Sequence, residues 1–106
     1  MLEEKMWLLR EEFEELGDFL GGYFHQDMEP LEEVWAEIVE NANRENTTIL
    51  LNDIDRFLNS NLSHIEKEEF IKGNCDLYFP AINTTPLEWL IKMQIEFKNL
   101  LPSLKD

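Results

Sequence analysis

The stretch "EEKMWLLREEFEELGDFL", residues 3–20, decides the fold class. Met6, Leu9, Phe13, Leu16 and Leu20 recur at steps of three and four, so they share one face of a helix. Glu4, Glu11, Glu12, Glu14, Glu15 and Asp18 fall mostly off that stripe. The spacing predicts one helix from Glu3 to about Leu20, with Gly17 weakening its last turns by roughly 1 kcal/mol relative to alanine. Gly21 and Gly22 are expected to end it by supplying the positive φ angles of a helix C-terminus.

The same pattern continues along the chain. A second helix is expected from Pro30 to Asn43, because proline is tolerated in a first helical turn. Leu31, Val34, Trp35, Ile38 and Ala42 face inward, which leaves Glu29, Glu32, Glu33, Glu37 and Glu40 for solvent or a partner. "NRENTT", residues 43–48, breaks the pattern. A third helix follows at 48–59, burying Leu50 or Leu51, Ile54, Phe57 and Leu58. Ser63 and Glu66 have the spacing of a capping box and open a fourth helix at 63–72, with Gly73 as its stop. The segment to Thr85 is irregular, and Pro80 argues against a central strand. Thr85 and Glu88 form a second capping box and open a fifth helix at 86–101, with Leu90, Met93, Phe97 and Leu100 as its stripe and Pro102 at its end. The expectation is an all-α, compact single-domain bundle of about five helices over residues 1–106.

Composition narrows the function. A chain of 106 residues, 43% of them hydrophobic, suits one domain with a real core. A lone cysteine, Cys75, excludes an intramolecular disulfide. No stretch reaches the ~18 apolar residues of a membrane span. "MLEEKMWLL" is acidic where a secretory signal is basic, so a cytoplasmic protein is expected, with a monomer as the default state. The net charge is −14. Residues 1–45 hold 14 acids against 3 bases, whereas residues 46–106 hold 9 against 6. Such a field repels nucleic acid and anionic membranes and attracts basic protein surfaces. A merely solvated acidic face is the plain alternative. The lopsided distribution is what raises the binding reading beside it.

"LGGYFHQDM", residues 20–28, is the only stretch with the look of chemistry. His25 and Asp27 could supply two metal ligands, but zinc needs three or four and nothing nearby completes the set. His64, beside the capping Ser63, reads as an exposed first-turn residue. No calcium loop or P-loop occurs. Ser60, Ser63 and Ser103 lie in polar connectors without the glycines of a nucleophile elbow. No catalytic residue, metal or cofactor is therefore expected. The motif reads as architecture. Gly21 and Gly22 turn the chain, and Tyr23 and Phe24 plug the core. Asp27 caps the second helix, and His25 and Gln26 tie down loop carbonyls or face solvent.

"FLGGYFHQD", residues 19–27, resembles the signature of a family of bacterial contact-dependent growth inhibition immunity proteins. "LLNDIDRFLNSNLSHIEKEEF", residues 50–70, is similar to that family's middle helix pair, and "GNCDLYFPAINTTPLEWLIKM", residues 73–93, to its late segment. The resemblance spans residues 13–95. Members often carry an aromatic residue where Met28 follows Asp27, and in this chain Asn74 separates Gly73 from Cys75.

The resemblance implies a small helical protein that binds the toxic C-terminal domain of a cell-surface effector delivered by neighbouring bacteria. Such toxins are commonly nucleases, whose basic surfaces an acidic protein complements. The pool expected to supply contacts is Glu11, Glu14, Glu15, Asp18, Glu29, Glu32, Glu33, Glu37 and Glu40. Two other classes compete. One is an acidic adaptor or nucleic-acid-mimic regulator, and the other a small hydrolase using His25 and Asp27. A partner site around Tyr78, Phe79 and Pro80 competes with the acidic one.

Overall fold

The computed structural model describes residues 2–26 and 30–105. Their order is α1 (Leu2–Glu12), α2 (Glu14–Tyr23), α3 (Leu31–Asn41), α4 (Arg44–Leu58), α5 (His64–Asn74), a 3-10 turn (Phe79–Ile82), α6 (Pro86–Leu100) and a final 3-10 turn (Leu101–Ser103). The class is all-α, as expected, but the described residues form six α-helices rather than about five. Helix α2 packs on α4 and α5, both of which pack on α6, while α1 lies against α2 and α5.

The extra helix comes from a break at Phe13. Its backbone sits at φ −113° and ψ 52°, outside the helical region. No glycine or proline causes it. Phe13 is 2% exposed, and its ring meets Phe57 at 5.2 Å and Phe70 at 6.1 Å, both edge-on. The first N–H groups of any helix lack partners within it, and Phe13 offers no side-chain cap to α2. Asp53 supplies the need from across the bundle. It is nearly buried on α4, and its carboxylate accepts the Leu16 N–H at 2.8 Å.

Removing this cap should matter. Asp53→Ala leaves a buried N–H unsatisfied and is expected to cost about 2 kcal/mol. Asp53→Asn keeps an acceptor and should cost less. Urea unfolding of both variants checks this, and equal losses would show that the bond to Leu16 is not what holds Asp53 in place.

Other helix starts follow from short-range chemistry. The two expected capping boxes form, with Ser63 accepting from Glu66 N–H at 3.1 Å and Thr85 from Glu88 N–H at 3.2 Å. Lys5 and the Ser63 N–H hold the Glu66 carboxyl below its usual range, so their support is present at neutral pH and lost as acid protonates Glu66. A third box was not foreseen. Asn43 accepts from Asn46 N–H at 2.8 Å while Asn46 accepts from Asn43 N–H at 3.0 Å. Residues 44–48 therefore begin α4 instead of breaking the pattern.

Helix α5 runs past Gly73 to Asn74, whose amide donates to the Phe70 carbonyl at 2.8 Å. The core is aromatic. Beyond the Phe13–Phe57–Phe70 cluster, Phe19 meets Phe24 at 5.5 Å and Phe97 at 5.4 Å, and Trp89 meets Phe24 at 5.0 Å and Phe79 at 5.7 Å. Helix α3 joins this core through buried Val34 and Ile38 and through Trp35, 5.4 Å from Phe97.

Candidate partner-binding surface

Four glutamates flank the Phe13 break. On an unbroken helix Glu11, Glu12, Glu14 and Glu15 would spread over roughly 160° of surface, at 3.6 residues per turn. In this structure all four line one groove of about 340 Å³ with Ile49, Asn52, Asp53 and Arg56 of α4. The lining of the groove thus includes five acidic residues and one arginine.

Arg56 is already committed. It donates to Asp53 at 2.9 Å, lies 3.8 Å from Glu12 and sits 5.2 Å from the centroid of the Phe13 ring. Elsewhere Asp18 pairs with Arg10, Glu66 with Lys5, Glu69 with Lys72 at 3.1 Å and Asp55 with Lys98 at 3.7 Å. Glu11, Glu14 and Glu15 have no ion-pair partner among the described residues, and neither do Glu32, Glu33, Glu37 and Glu40 on α3. All seven are exposed. Among the described residues the internal ion pairs therefore leave Glu11, Glu14 and Glu15 of the groove and the four glutamates of α3 uncompensated. Trp7 and Leu8, 66% and 60% exposed, stand one turn before Glu11 and Glu12 on α1.

The structure thus divides the nine acids expected at the partner surface. Glu11, Glu14 and Glu15 converge. Asp18 lies on α2 beside Arg10 and lines a second groove with Glu15. Glu32, Glu33, Glu37 and Glu40 occupy α3. Glu29 lies outside the described residues. Sequence reasoning did not single out Glu12, Asp53 and Arg56 for this surface. One signal was available, since Asp53 is spaced three from Leu50 and four from Phe57, a carboxylate inside an apolar stripe.

The "GGYFHQD" motif requires a correction. Helix α2 continues through Gly21 and Gly22 to Tyr23, and no described glycine has a positive φ. The positive φ angles expected at Gly21 and Gly22 are therefore absent, and a side chain at either position meets no left-handed backbone. A Cβ on Gly21 would stand 3.4 Å from the Asn74 carbonyl, and one on Gly22 would meet nothing within 4 Å. Gly22→Ala is expected to raise stability by up to ~1 kcal/mol through helix propensity, read as a higher melting temperature. An unchanged or lower melting temperature would contradict this.

Phe24 is buried, and its carbonyl accepts the Asp76 N–H at 2.7 Å, tying the end of α2 to the late loop. Tyr23 is half-buried, whereas His25 and Gln26 are exposed. Asp27, and with it the expected cap of α3, lies outside the described residues.

Little else in the described chain suggests reaction chemistry. No group of three His, Cys, Asp or Glu among the described residues could hold a metal ion. Cys75 is buried, which pushes its thiol up and keeps it protonated at neutral pH. No helix of the described residues is long and apolar enough to cross a membrane. A largely apolar groove of about 390 Å³ lies around Tyr78, Phe79, Pro80 and Lys72.

Comparison with known proteins gives one result. A family model described as CdiI immunity protein matches residues 12–97. No curated protein and no solved structure matches the chain.

Proposed function

The chain belongs to the CdiI immunity protein family, and from that membership we propose that it neutralises the toxic C-terminal domain of a cognate contact-dependent growth inhibition effector by holding a basic face of that toxin in the acidic groove at the Phe13 break. The observation that carries this reading is that Glu11, Glu12, Glu14 and Glu15 line one groove, three of them without a counter-ion among the described residues. Unpaired carboxylates gain from a partner's cations without first giving up a bond of their own. Nuclease toxins carry basic surfaces for nucleic acid, so the partner class we favour is a nuclease domain.

The two acidic surfaces have different tasks in this account. The groove makes the close contacts, with exposed Trp7 as an aromatic anchor of the kind that dominates interface energetics. The α3 glutamates form a rim that steers encounter and sharpens salt dependence. The chain acts as a monomeric binding protein in the cytoplasm and uses no cofactor.

Co-expression tests the reading. The chain is produced together with the C-terminal toxin domain of its cognate effector, and growth is followed. Growth should be restored with the cognate domain and not with the toxin of an unrelated pair. Protection against neither toxin would overturn the reading, and protection against both would favour a general acidic adaptor.

A further inference from the structure

We infer that the groove between α2, α3 and α4 is a receptor for one arginine side chain of the partner, a step that rests on the reading of that partner as a basic protein. The groove has a volume of about 240 Å³. That is below the ~300–1,000 Å³ of pockets that enclose drug-sized ligands, and it suits a single long side chain. Phe19, Leu50 and Phe97 give it an apolar lining, Glu15 brings a carboxylate to it, and Asp18, already paired with Arg10, stands at its edge.

The polar part of the lining is already organised. Asn41 donates to the Tyr23 hydroxyl at 3.5 Å, and Asn46 donates to the Asn41 carbonyl at 3.3 Å. Glu15 has no ion pair among the described residues, and it lines both this groove and the acidic groove at the break. A side chain seated here therefore continues the surface already assigned to the toxin.

The chemistry favours arginine over lysine. Its apolar stem lies along the aromatic lining, as long cationic side chains do on apolar surface. Its planar guanidinium spans several separated acceptors and stacks on rings, whereas an ammonium is a compact, strongly hydrated point charge. The protein uses the same combination internally, with Arg56 over the Phe13 ring and bonded to Asp53.

The test uses n-butylguanidinium as the probe, titrated into the full chain and followed by amide NMR shifts. Saturable shifts are expected at Tyr23, Asn41 and Asn46. Neutral butylurea, of similar shape, should give none, and n-butylammonium should bind at least fivefold more weakly. Glu15→Gln should weaken the guanidinium by at least fivefold. Ala42→Leu, which fills the groove from its α3 side, should abolish the shifts with helical circular dichroism unchanged.

Equal binding of butylurea would overturn the cation site, and equal binding of butylammonium would overturn the choice of arginine. Both variants are also measured against the cognate toxin domain, where affinity should fall at least tenfold. Wild-type toxin affinity in both would overturn the inference and leave the immunity reading standing. Guanidinium binding by a chain that fails to bind or neutralise its toxin would instead overturn the immunity reading alone.

Discussion

Phe13→Ala should cost about 4 kcal/mol of folding stability, within the ~3–5 kcal/mol typical of truncating a buried phenylalanine. Three effects combine. The side chain is 2% exposed, so nearly all its apolar surface is lost from the core. Its ring meets Phe57 and Phe70 edge-on, and these two lie 5.0 Å from each other, so one truncation opens a cavity where α4 and α5 meet the break. The Arg56 guanidinium also loses the ring beneath it. Domains are stable by only ~5–15 kcal/mol, so this change takes a large share of the total. Denaturant unfolding measures it. A loss below ~1 kcal/mol would show that the core closes over the gap and that the Phe13 cluster is not what fixes the break.

The largest effect on binding is expected from Glu11→Lys, Glu14→Lys and Glu15→Lys combined. Cognate toxin affinity should fall at least a hundredfold, or ~2.7 kcal/mol. The folded chain should survive. All three side chains are exposed and have no ion-pair partner among the described residues, and lysines in the first turn of α2 cost only ~0.3–1 kcal/mol each through the helix dipole. Glu33→Lys with Glu37→Lys on α3 should weaken binding less than tenfold, mainly through slower association, because rim charges act on encounter. A larger loss from the α3 pair would move the contact to that helix. No loss from either set, with both variants folded, would move it to the groove around Tyr78 and Pro80.

The stripes of apolar residues were legible from sequence because helical periodicity is local. Leu9, Phe13, Leu16 and Leu20 are buried as their spacing implied, as are Leu90, Met93 and Phe97. The capping boxes at Ser63 and Thr85 were legible for the same reason. The break at Phe13 was not, since the Leu16 N–H just after it is capped by Asp53, 37 residues beyond Leu16. A rule restricted to neighbours along the chain cannot find such a partner. The missed start of α4 was local, but it uses asparagine where the expected box has glutamate or glutamine.

The glycine pair misled for a different reason. Glycine permits a left-handed backbone but does not impose one, and here α2 simply continues through both residues. Acid-rich helices were visible at once, yet which acids stay unpaired depends on where Arg10, Arg56 and Lys5 land after folding. That distinction selects the groove, and composition does not contain it.

The central claim is that unpaired carboxylates at the Phe13 break hold a basic toxin face. Its most direct test is the dissociation constant of the chain and its cognate toxin domain, measured from low to high salt for the wild type and for the Glu11→Lys, Glu14→Lys, Glu15→Lys variant. Binding by the wild type should weaken steeply as salt rises, because exposed charge pairs are screened. The variant should bind at least a hundredfold more weakly at low salt and respond much less to salt. Tight wild-type binding that ignores salt, matched by the variant, would contradict the account.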